Sequence, residues 1–147
     1  MTTSSISPDD VLKLENQVCF ALVTAARNVV GIYRPILEPL GLTHPQYLVM
    51  LALWEDSPRS LRELATELAL EPATLSPLVK RLEAQGLVTR ARRGADERVL
   101  DVGLTEAGAA LRRRALTVPE QVMRSVGADA EGLLALRDAL APFAGHR

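Results

Sequence analysis

Two capped helices followed by a strand–loop–strand pattern, within residues 60–104, constrain the fold of this chain more than any other feature. Ser60 and Glu63 are three residues apart and form the capping box that opens a first helix. Pro72 opens a second helix, because proline suits a first turn whose N–H has no helical partner. Gly86 closes that helix, since glycine adopts the left-handed conformation after a helix end. The pattern predicts two helices joined by a tight turn.

Two short apolar runs, 87–90 and 99–102, predict a pair of strands after the helices. The segment 91–98 between them contains a glycine and is too polar for a core, so we expect it to form a loop. The order helix–helix–hairpin is that of a winged helix-turn-helix. This stretch is therefore predicted to bind double-stranded DNA.

The charge distribution supports DNA binding locally. Residues 80–98 carry six basic and three acidic side chains, a net charge of +3, although the whole chain carries −1. A basic strip favours DNA because phosphate binding releases counterions. The alternative is that these are ordinary solvated charges on a helix and a hairpin. The candidate DNA-binding residues are Pro72, Thr74, Ser76, Lys80, Arg81, Arg92, Arg93, Asp96 and Arg98.

The second helix is the predicted recognition helix. Thr74 and Ser76 lie near its N-terminal end, where helices of this motif meet base edges in the major groove. Lys80 or Arg81 is expected to contact a phosphate or a guanine edge. Pro77 lies beyond the first turn, so it should cost one backbone hydrogen bond and bend the helix slightly.

Length and composition predict one mainly helical domain. With 147 residues and 48% hydrophobic residues the chain can bury a sizeable core, and few aromatics with abundant Leu and Ala favour helices. No secretory segment or membrane-length apolar run is visible, so we expect a cytoplasmic protein without a membrane partner. The single cysteine excludes an internal disulfide. One cysteine and two histidines in the whole sequence make a structural zinc site implausible. No cofactor is predicted.

The N-terminal third is predicted to be mostly helical. Residues 1–9 are expected to form a loose arm, and a helix should run from about Asp10 to Ile32, with a kink at the following prolines and a stop near Gly41. The sequence Thr43-His44-Pro45-Gln46 forms a second capping box. It opens an apolar helix through Trp54, which we expect at the buried centre.

The C-terminal third is predicted to be helical as well. Thr105 should cap a helix that runs through Leu116 and is kinked at Val118-Pro119, and a last helix should span roughly 129–143. The three arginines 112–114 are interpreted as a solvated face, with contact to DNA phosphates as the minor alternative.

The apolar helices at both ends present more apolar surface than one small domain needs to cover. We therefore predict a homodimer that buries this surface. The predicted organisation is a single domain over 10–147. Within it the winged helix-turn-helix spans about 43–104, and dimerisation helices span about 10–40 and 105–144. Two-fold symmetry then predicts a pseudo-palindromic operator with half-sites about one helical turn apart.

The chain resembles the MarR family of bacterial winged-helix regulators, whose wing signature matches Asp96-Glu97-Arg98 and Leu104-Thr105. The stretches 14–20, Tyr33-Arg34-Pro35 and 45–48 are similar to the branch that senses organic hydroperoxides, the OhrR repressors. This resemblance implies a dimeric repressor whose N-terminal cysteine is oxidised by organic hydroperoxides. It also implies that Arg98 enters the minor groove and that Asp96 braces the wing.

Cys19 is the only cysteine, and a lone cysteine on an apolar helix face is more often an inert hydrophobe. Reactivity needs a nearby cation, hydrogen-bond donors or a helix N-terminus, and Tyr33, His44 and Tyr47 are the candidates. The resemblance implies that Tyr33 of the partner subunit donates to the cysteine. Two further tyrosines of the family's pattern are replaced here, by Val23 and His44. A protonated His44 would favour the thiolate below neutral pH.

Without a second cysteine, a sulfenic acid at Cys19 must react with a low-molecular-weight thiol or be oxidised further. Two alternatives to an oxidation-switched repressor are open. One is a repressor released by a reversibly bound small molecule. The other is a thiol peroxidase, which needs efficient re-reduction, often by a resolving cysteine, and would leave the recognition stretch unexplained. We therefore expect a regulator and not an enzyme.

Overall fold

The computed structural model describes residues 7–14, 17–94 and 96–145, with only the backbone of residues 96 and 97. Its helices are α1 (Pro8–Val11), α2 (Val18–Leu37), α3 (His44–Glu55), α4 (Leu61–Glu67), α5 (Pro72–Ala84), α6 (Glu106–Ala115), α7 (Val118–Val126) and α8 (Ala130–Leu140). Its strands are β1 (Arg59–Ser60), β2 (Val88–Arg93) and β3 (Asp96–Leu104), and 3-10 turns follow α2 and α8 at Glu38–Leu40 and Ala141–Phe143. The predicted fold class, mainly helical with a small β wing, is confirmed.

Both predicted capping boxes form. The Ser60 hydroxyl accepts from the Glu63 N–H at 3.0 Å, and the Glu63 carboxylate accepts from the Ser60 N–H at 3.3 Å. Thr43 and Gln46 make the same reciprocal pair at the start of α3. The helix that Thr43 opens is the buried centre, as predicted. Its buried residues are Gln46, Tyr47, Val49, Met50, Ala52 and Leu53.

The recognition helix α5 and its neighbour α4 pack their apolar faces on this centre. Leu64, Leu75 and Leu82 are completely buried. Gly86 follows α5 with a φ of 78°, the left-handed conformation predicted for it. Pro77 lies inside α5, which continues past it to Ala84.

The sheet is larger than predicted. It is antiparallel with strand order β1-β3-β2, so that β1 pairs with β3 through Arg59 opposite Val102. The segment 91–98, predicted as a loop, is mostly strand: β2 reaches Arg93 and β3 begins at Asp96. The prediction was wrong because strands of a two-stranded arm are solvated on both faces and need no apolar alternation.

The N-terminal helix is interrupted. The helix predicted from about Asp10 to Ile32 is two helices, because α1 ends at Val11 and α2 begins at Val18. The Gln17 side chain donates to the carbonyls of Val11 (2.6 Å) and Lys13 (3.1 Å), which satisfies backbone acceptors at the break. Within the predicted arm, residues 1–6 lie outside the described residues, and α1 begins at Pro8. The stop near Gly41 is confirmed, with a φ of 72° at that glycine.

The C-terminal helices are also divided. Thr105 caps α6 as predicted, with its hydroxyl accepting from the Gly108 N–H at 3.0 Å. The helix ends at Ala115 instead of running through Leu116, and Pro119 lies in the first turn of a separate helix, α7. The predicted kink is therefore a break. Arg114 donates to the Pro39 carbonyl at 2.6 Å, which ties α6 to the turn after α2.

The terminal helices leave apolar side chains uncovered. Of the twenty residues of α2 only Leu37 is buried, and neither α1 nor α8 buries any. Within a protomer α2 packs against α7 and α3. The large exposed apolar residues of α1, α2, α8 and the turns beside them are Val11, Leu12, Leu14, Val18, Phe20, Val23, Val29, Val30, Leu134, Leu136 and Phe143. Among the described residues, none of the helices has the length and hydropathy needed to cross a membrane.

Candidate DNA-binding surface and sensor site

The recognition helix presents a polar face to solvent. Pro72 and Thr74 are exposed in its first turn and Ser76 is half-buried. Lys80 and Arg81 are exposed further along. The opposite face is held by the buried leucines, so the rotation of α5 about its axis is fixed. This is the presentation that a helix in a major groove requires.

A groove of about 580 Å³ lies between the start of α4, the start of α5 and the wing. Its lining residues are Ser60, Leu61, Arg62, Pro72, Arg92, Arg93, Arg98, Val99 and Leu100. The structure thus brings three predicted wing arginines together with Arg62, an exposed residue of α4 that sequence reasoning missed. The pairing of β1 with β3 places the start of that helix beside the wing, and a two-residue strand leaves no sequence signal. Asp96 begins β3, and its side chain is outside the part that the structure describes.

Carboxylate partners of Arg93 and Arg90 are among the described contacts of the wing. Arg93 makes a two-pronged contact with Asp101 across the hairpin, with its Nη2 2.7 Å and its Nε 3.1 Å from the carboxylate. Arg90 donates to Glu83 at 3.0 Å, and this bond lowers the pKa of the Glu83 carboxyl. These pairs fix the wing and join it to the end of α5. They also reduce the local positive charge below the count of basic residues.

Cys19 is the second residue of α2 and is exposed. Tyr33 lies fourteen residues further along the same continuous helix. At 1.5 Å per residue this separates the two residues by about 21 Å along the axis. Within one protomer, Cys19 and Tyr33 therefore cannot touch.

The three side chains predicted to surround the cysteine form one cluster of Tyr33, His44 and Tyr47. The ring centroids of Tyr33 and His44 are 4.7 Å apart, and those of Tyr33 and Tyr47 are 5.8 Å apart. A shallow pocket of about 550 Å³, lined by Val30, Arg34 and His44 among others, opens beside this cluster. The cluster thus joins Tyr33, His44 and Tyr47 but does not include Cys19 of the same protomer.

Burial sets the protonation of the cluster. It raises the pKa of Tyr33, and it raises the pKa of Tyr47 together with the charge of Tyr33. Both phenols are therefore hydrogen-bond donors at neutral pH. Burial lowers the pKa of the His44 imidazole, so that His44 is neutral there and gains its proton only below its usual range. This direction disfavours the protonated form of His44, the form that would favour a Cys19 thiolate.

Comparison with known proteins gives a consistent assignment. Residues 31–113 match the family model described as transcriptional regulator SarA/Rot. The chain is 40% identical over 131 residues to the organic hydroperoxide resistance transcriptional regulator of Bacillus subtilis, covering 89% of each chain.

Solved structures agree with this. Reduced AbfR bound to DNA superposes with a TM-score of 0.76 at 31% identity, covering 93% of this chain and 96% of that one. AbfR is a Staphylococcus epidermidis protein that is also known in an overoxidized DNA-bound form and in a disulfide form. Bordetella bronchiseptica BpsR, whose DNA binding is regulated by 6-hydroxynicotinic acid, superposes with a TM-score of 0.81 at 26% identity, covering 92% and 98%.

The family match covers more than half of this chain, and the Bacillus regulator aligns over nearly all of it. The exposed recognition helix, the basic groove and the wing are the parts that such regulators use on DNA. The chain therefore belongs to the MarR-type winged-helix transcriptional regulators, the DNA-binding proteins that include the SarA/Rot regulators and the organic hydroperoxide resistance regulator.

Proposed function

We propose that this protein is a repressor that senses organic hydroperoxides through Cys19 and releases its operator when Cys19 is oxidised. The observation that carries the proposal is the placement of the one cysteine: exposed at one end of α2, with a cluster of neutral phenol donors near the other end. A solvent-accessible thiol is within reach of a dissolved peroxide. The 40% identity to a hydroperoxide resistance regulator supports the same chemistry.

The DNA-bound form is proposed to be a homodimer. The uncovered apolar side chains of α1, α2 and α8 form the surface that a second copy would bury. If two α2 helices pack antiparallel, the N-terminal end of one meets the C-terminal end of the other. Cys19 then lies beside the partner's Tyr33, in the pocket next to His44.

Each protomer contributes one winged helix-turn-helix to this dimer. The first turn of α5, through Thr74 and Ser76, is proposed to read base edges. Arg98 is proposed to enter the minor groove at the wing, and Asp96 to brace the wing. Lys80, Arg81, Arg62 and Arg92 are proposed phosphate ligands, while Arg93 is already committed to Asp101.

The sensing chemistry is balanced without a metal or cofactor. The Cys19 thiolate attacks the peroxide oxygen distal to carbon, the O–O bond breaks, and after protonation the products are an alcohol and a Cys19 sulfenic acid. A low-molecular-weight thiol then attacks the sulfenic sulfur, which releases water and leaves a mixed disulfide. The cysteine is oxidised by two electrons and the peroxide is reduced by two.

The mixed disulfide is the proposed releasing species. A thiol adduct adds several heavy atoms to a site that the partner's helix would otherwise fill, and close-packed surroundings pass the displacement on. Overoxidized AbfR is bound to DNA, which favours a bulky adduct over added oxygen atoms as the trigger here. A hundredfold loss of operator affinity requires a difference of only about 2.7 kcal/mol between the two dimer states.

The test combines intact-protein mass spectrometry with operator titrations on wild type and Cys19→Ser. Cumene hydroperoxide plus a small thiol should add one thiol mass per wild-type chain and weaken operator binding. Cys19→Ser should gain no mass and stay bound. Release of Cys19→Ser to the same extent as wild type would refute the proposal.

A second candidate function is release by a reversibly bound small molecule. It is favoured by an apolar pocket of about 330 Å³ between α3 and α6–α7, lined by Tyr47, Leu51, Trp54 and Leu116 with Arg112 at its side. The regulation of BpsR by an aromatic acid shows that such control occurs in this fold. Operator release by an aromatic acid from both wild type and Cys19→Ser, without any mass change, would favour this alternative.

A further inference from the structure

The C-terminal end of the recognition helix is joined by side-chain hydrogen bonds to the corner between α2 and α3. Gln85 caps the end of α5. Its side-chain NH₂ donates to the Gly41 carbonyl at 2.7 Å, and its side-chain oxygen accepts from the Gln46 amide at 3.0 Å. The Gln46 oxygen in turn accepts from the Thr43 N–H at 3.0 Å. One exposed glutamine thus bridges two points of the corner that are distant from it in sequence.

The network has little freedom to rearrange. Gln46 is 5% exposed, so losing the Gln85 partner would leave a buried amide hydrogen unsatisfied. Gly41 has a φ of 72° and fixes the turn that presents its carbonyl. A Cβ on Gly41 would lie 3.9 Å from the Gln85 side-chain nitrogen, so the glutamine lies in contact with the turn.

The corner is adjacent to the proposed sensor cluster. His44 is the first residue of α3, directly after Thr43, and its ring packs 4.7 Å from Tyr33. A displacement of the His44 backbone would act directly on the adjacent Thr43, whose N–H donates to Gln46, and Gln46 donates to Gln85. The recognition helix lies at the other end of that chain of bonds.

We propose that Gln85 is the positioning residue that transmits a change at the sensor corner to the recognition helix. This inference rests on the proposed switching function at Cys19. Gln85 has no direct part in sensing or in base contacts, since it lies at the opposite end of α5 from Thr74. Its removal should leave the reduced repressor on DNA and weaken the response to oxidation.

The experiment compares Gln85→Met with Gln121→Met as the matched control. Methionine keeps the length of glutamine without its hydrogen bonds. Gln121 is an exposed glutamine of α7, and its side chain donates to the Thr117 hydroxyl within the same part of the chain. Operator affinity is measured before and after treatment with cumene hydroperoxide and a small thiol, with thiol addition verified by mass. Gln85→Met should bind within about threefold of wild type when reduced, and its reduced-to-oxidised affinity ratio should shrink by about three- to tenfold, the weight of one or two neutral hydrogen bonds. A ratio within twofold of wild type at full thiol addition would overturn the inference.

A second variant and a cycle keep the result interpretable. Gln85→Glu retains an acceptor for Gln46 and loses the donor to Gly41, so it should give an intermediate ratio if Gln85→Met does not fold. If wild type itself does not release DNA after thiol addition, the proposed function fails. A double-mutant cycle of His44→Ala with Gln85→Met on the reduced protein then tests whether Gln85 couples His44 to operator binding. An effect of His44→Ala on operator affinity that falls at least threefold in the Gln85→Met background supports the inference. Equal effects in both backgrounds, or none in either, overturn it.

Discussion

Gly108, in the first turn of α6, lies directly against the backbone of Leu87, where α5 passes into the wing. A Cβ added to Gly108 would lie 2.0 Å from the Leu87 carbonyl oxygen and 3.0 Å from its carbon. The obstacle is main chain, so no change of rotamer can relieve the contact. Gly108→Ala should therefore push α6 away from the Leu87 backbone by more than 1 Å.

The contacts of Gly108 determine how much folding free energy Gly108→Ala would lose. Overpacking a close contact costs roughly 1–3 kcal/mol. The Trp54 indole donates to the Gly108 carbonyl at 2.9 Å, and the Thr105 N–H donates to the Leu87 carbonyl at 3.1 Å. Losing either bond adds about 0.5–1.5 kcal/mol, while the better helix propensity of alanine returns at most about 1 kcal/mol. The expected net loss is about 2 kcal/mol, or roughly 4–8 °C in Tm for a chain of this size.

The assay is urea and thermal unfolding of wild type, Gly108→Ala and the control Ala110→Gly. Protein concentration is held constant because the proposed dimerisation would make apparent stability depend on it. Ala110 is exposed on the same helix, so the control measures local helix propensity alone and should lose up to about 1 kcal/mol. An unchanged or raised midpoint for Gly108→Ala would refute the close packing of α6 on Leu87.

Four further predictions concern DNA and assembly. Thr74→Ala should lower operator affinity by roughly 1–3 kcal/mol and affinity for random DNA much less, in parallel titrations; equal losses would assign Thr74 to the DNA backbone. Arg62→Ala should weaken both DNAs alike and reduce the slope of log affinity against log salt by about one, and a constant slope would exclude a phosphate contact. Arg98→Ala should also reduce the salt slope by about one, with the larger loss on operators whose wing-facing minor groove is A·T-rich; a loss independent of that sequence would contradict minor-groove entry. Truncation from Gly127 onward should raise the dimer dissociation constant in analytical ultracentrifugation, and a truncated chain that dimerises like wild type would place the interface on the other helices.

The parts of the fold that the sequence predicted well are those specified by short-range chemistry. Ser60 with Glu63, and Thr43 with Gln46, are reciprocal bonds within one turn, so spacing alone identifies them. Gly41 and Gly86 mark helix ends because few other residues adopt a positive φ. The apolar stripe of α5 follows from helical periodicity in the same way.

The parts that were missed depend on contacts between distant segments. The wing strands extend through polar residues because Arg93 and Asp101 pair across the hairpin, eight residues apart. Strand β1 has two residues and exists only through its pairing with β3. The place of Arg62 in the groove beside the wing depends on that pairing as well. Periodicity within a segment carries no information about any of these contacts.

The residues of the candidate sensor site were predicted, but their arrangement within a protomer was not. Tyr33, His44 and Tyr47 come together because the turn after α2 folds α3 back against it. Cys19 is excluded from that cluster within a protomer by the uninterrupted helix between Cys19 and Tyr33. The charge state of His44 depends on burial, which the sequence does not reveal.

The length of the α2 segment between Cys19 and Tyr33 has a genetic consequence. If each sensor combines a cysteine from one chain with a tyrosine from the other, then Cys19→Ser and Tyr33→Phe chains can complement one another. Their mixed dimer contains one site with both defects and one intact site, whereas each pure dimer contains two defective sites. The mixed dimer, isolated after co-expression of the two alleles, would then release its operator on peroxide and thiol treatment, although each pure dimer stays bound. A dimer of chains that carry both substitutions would stay bound as well.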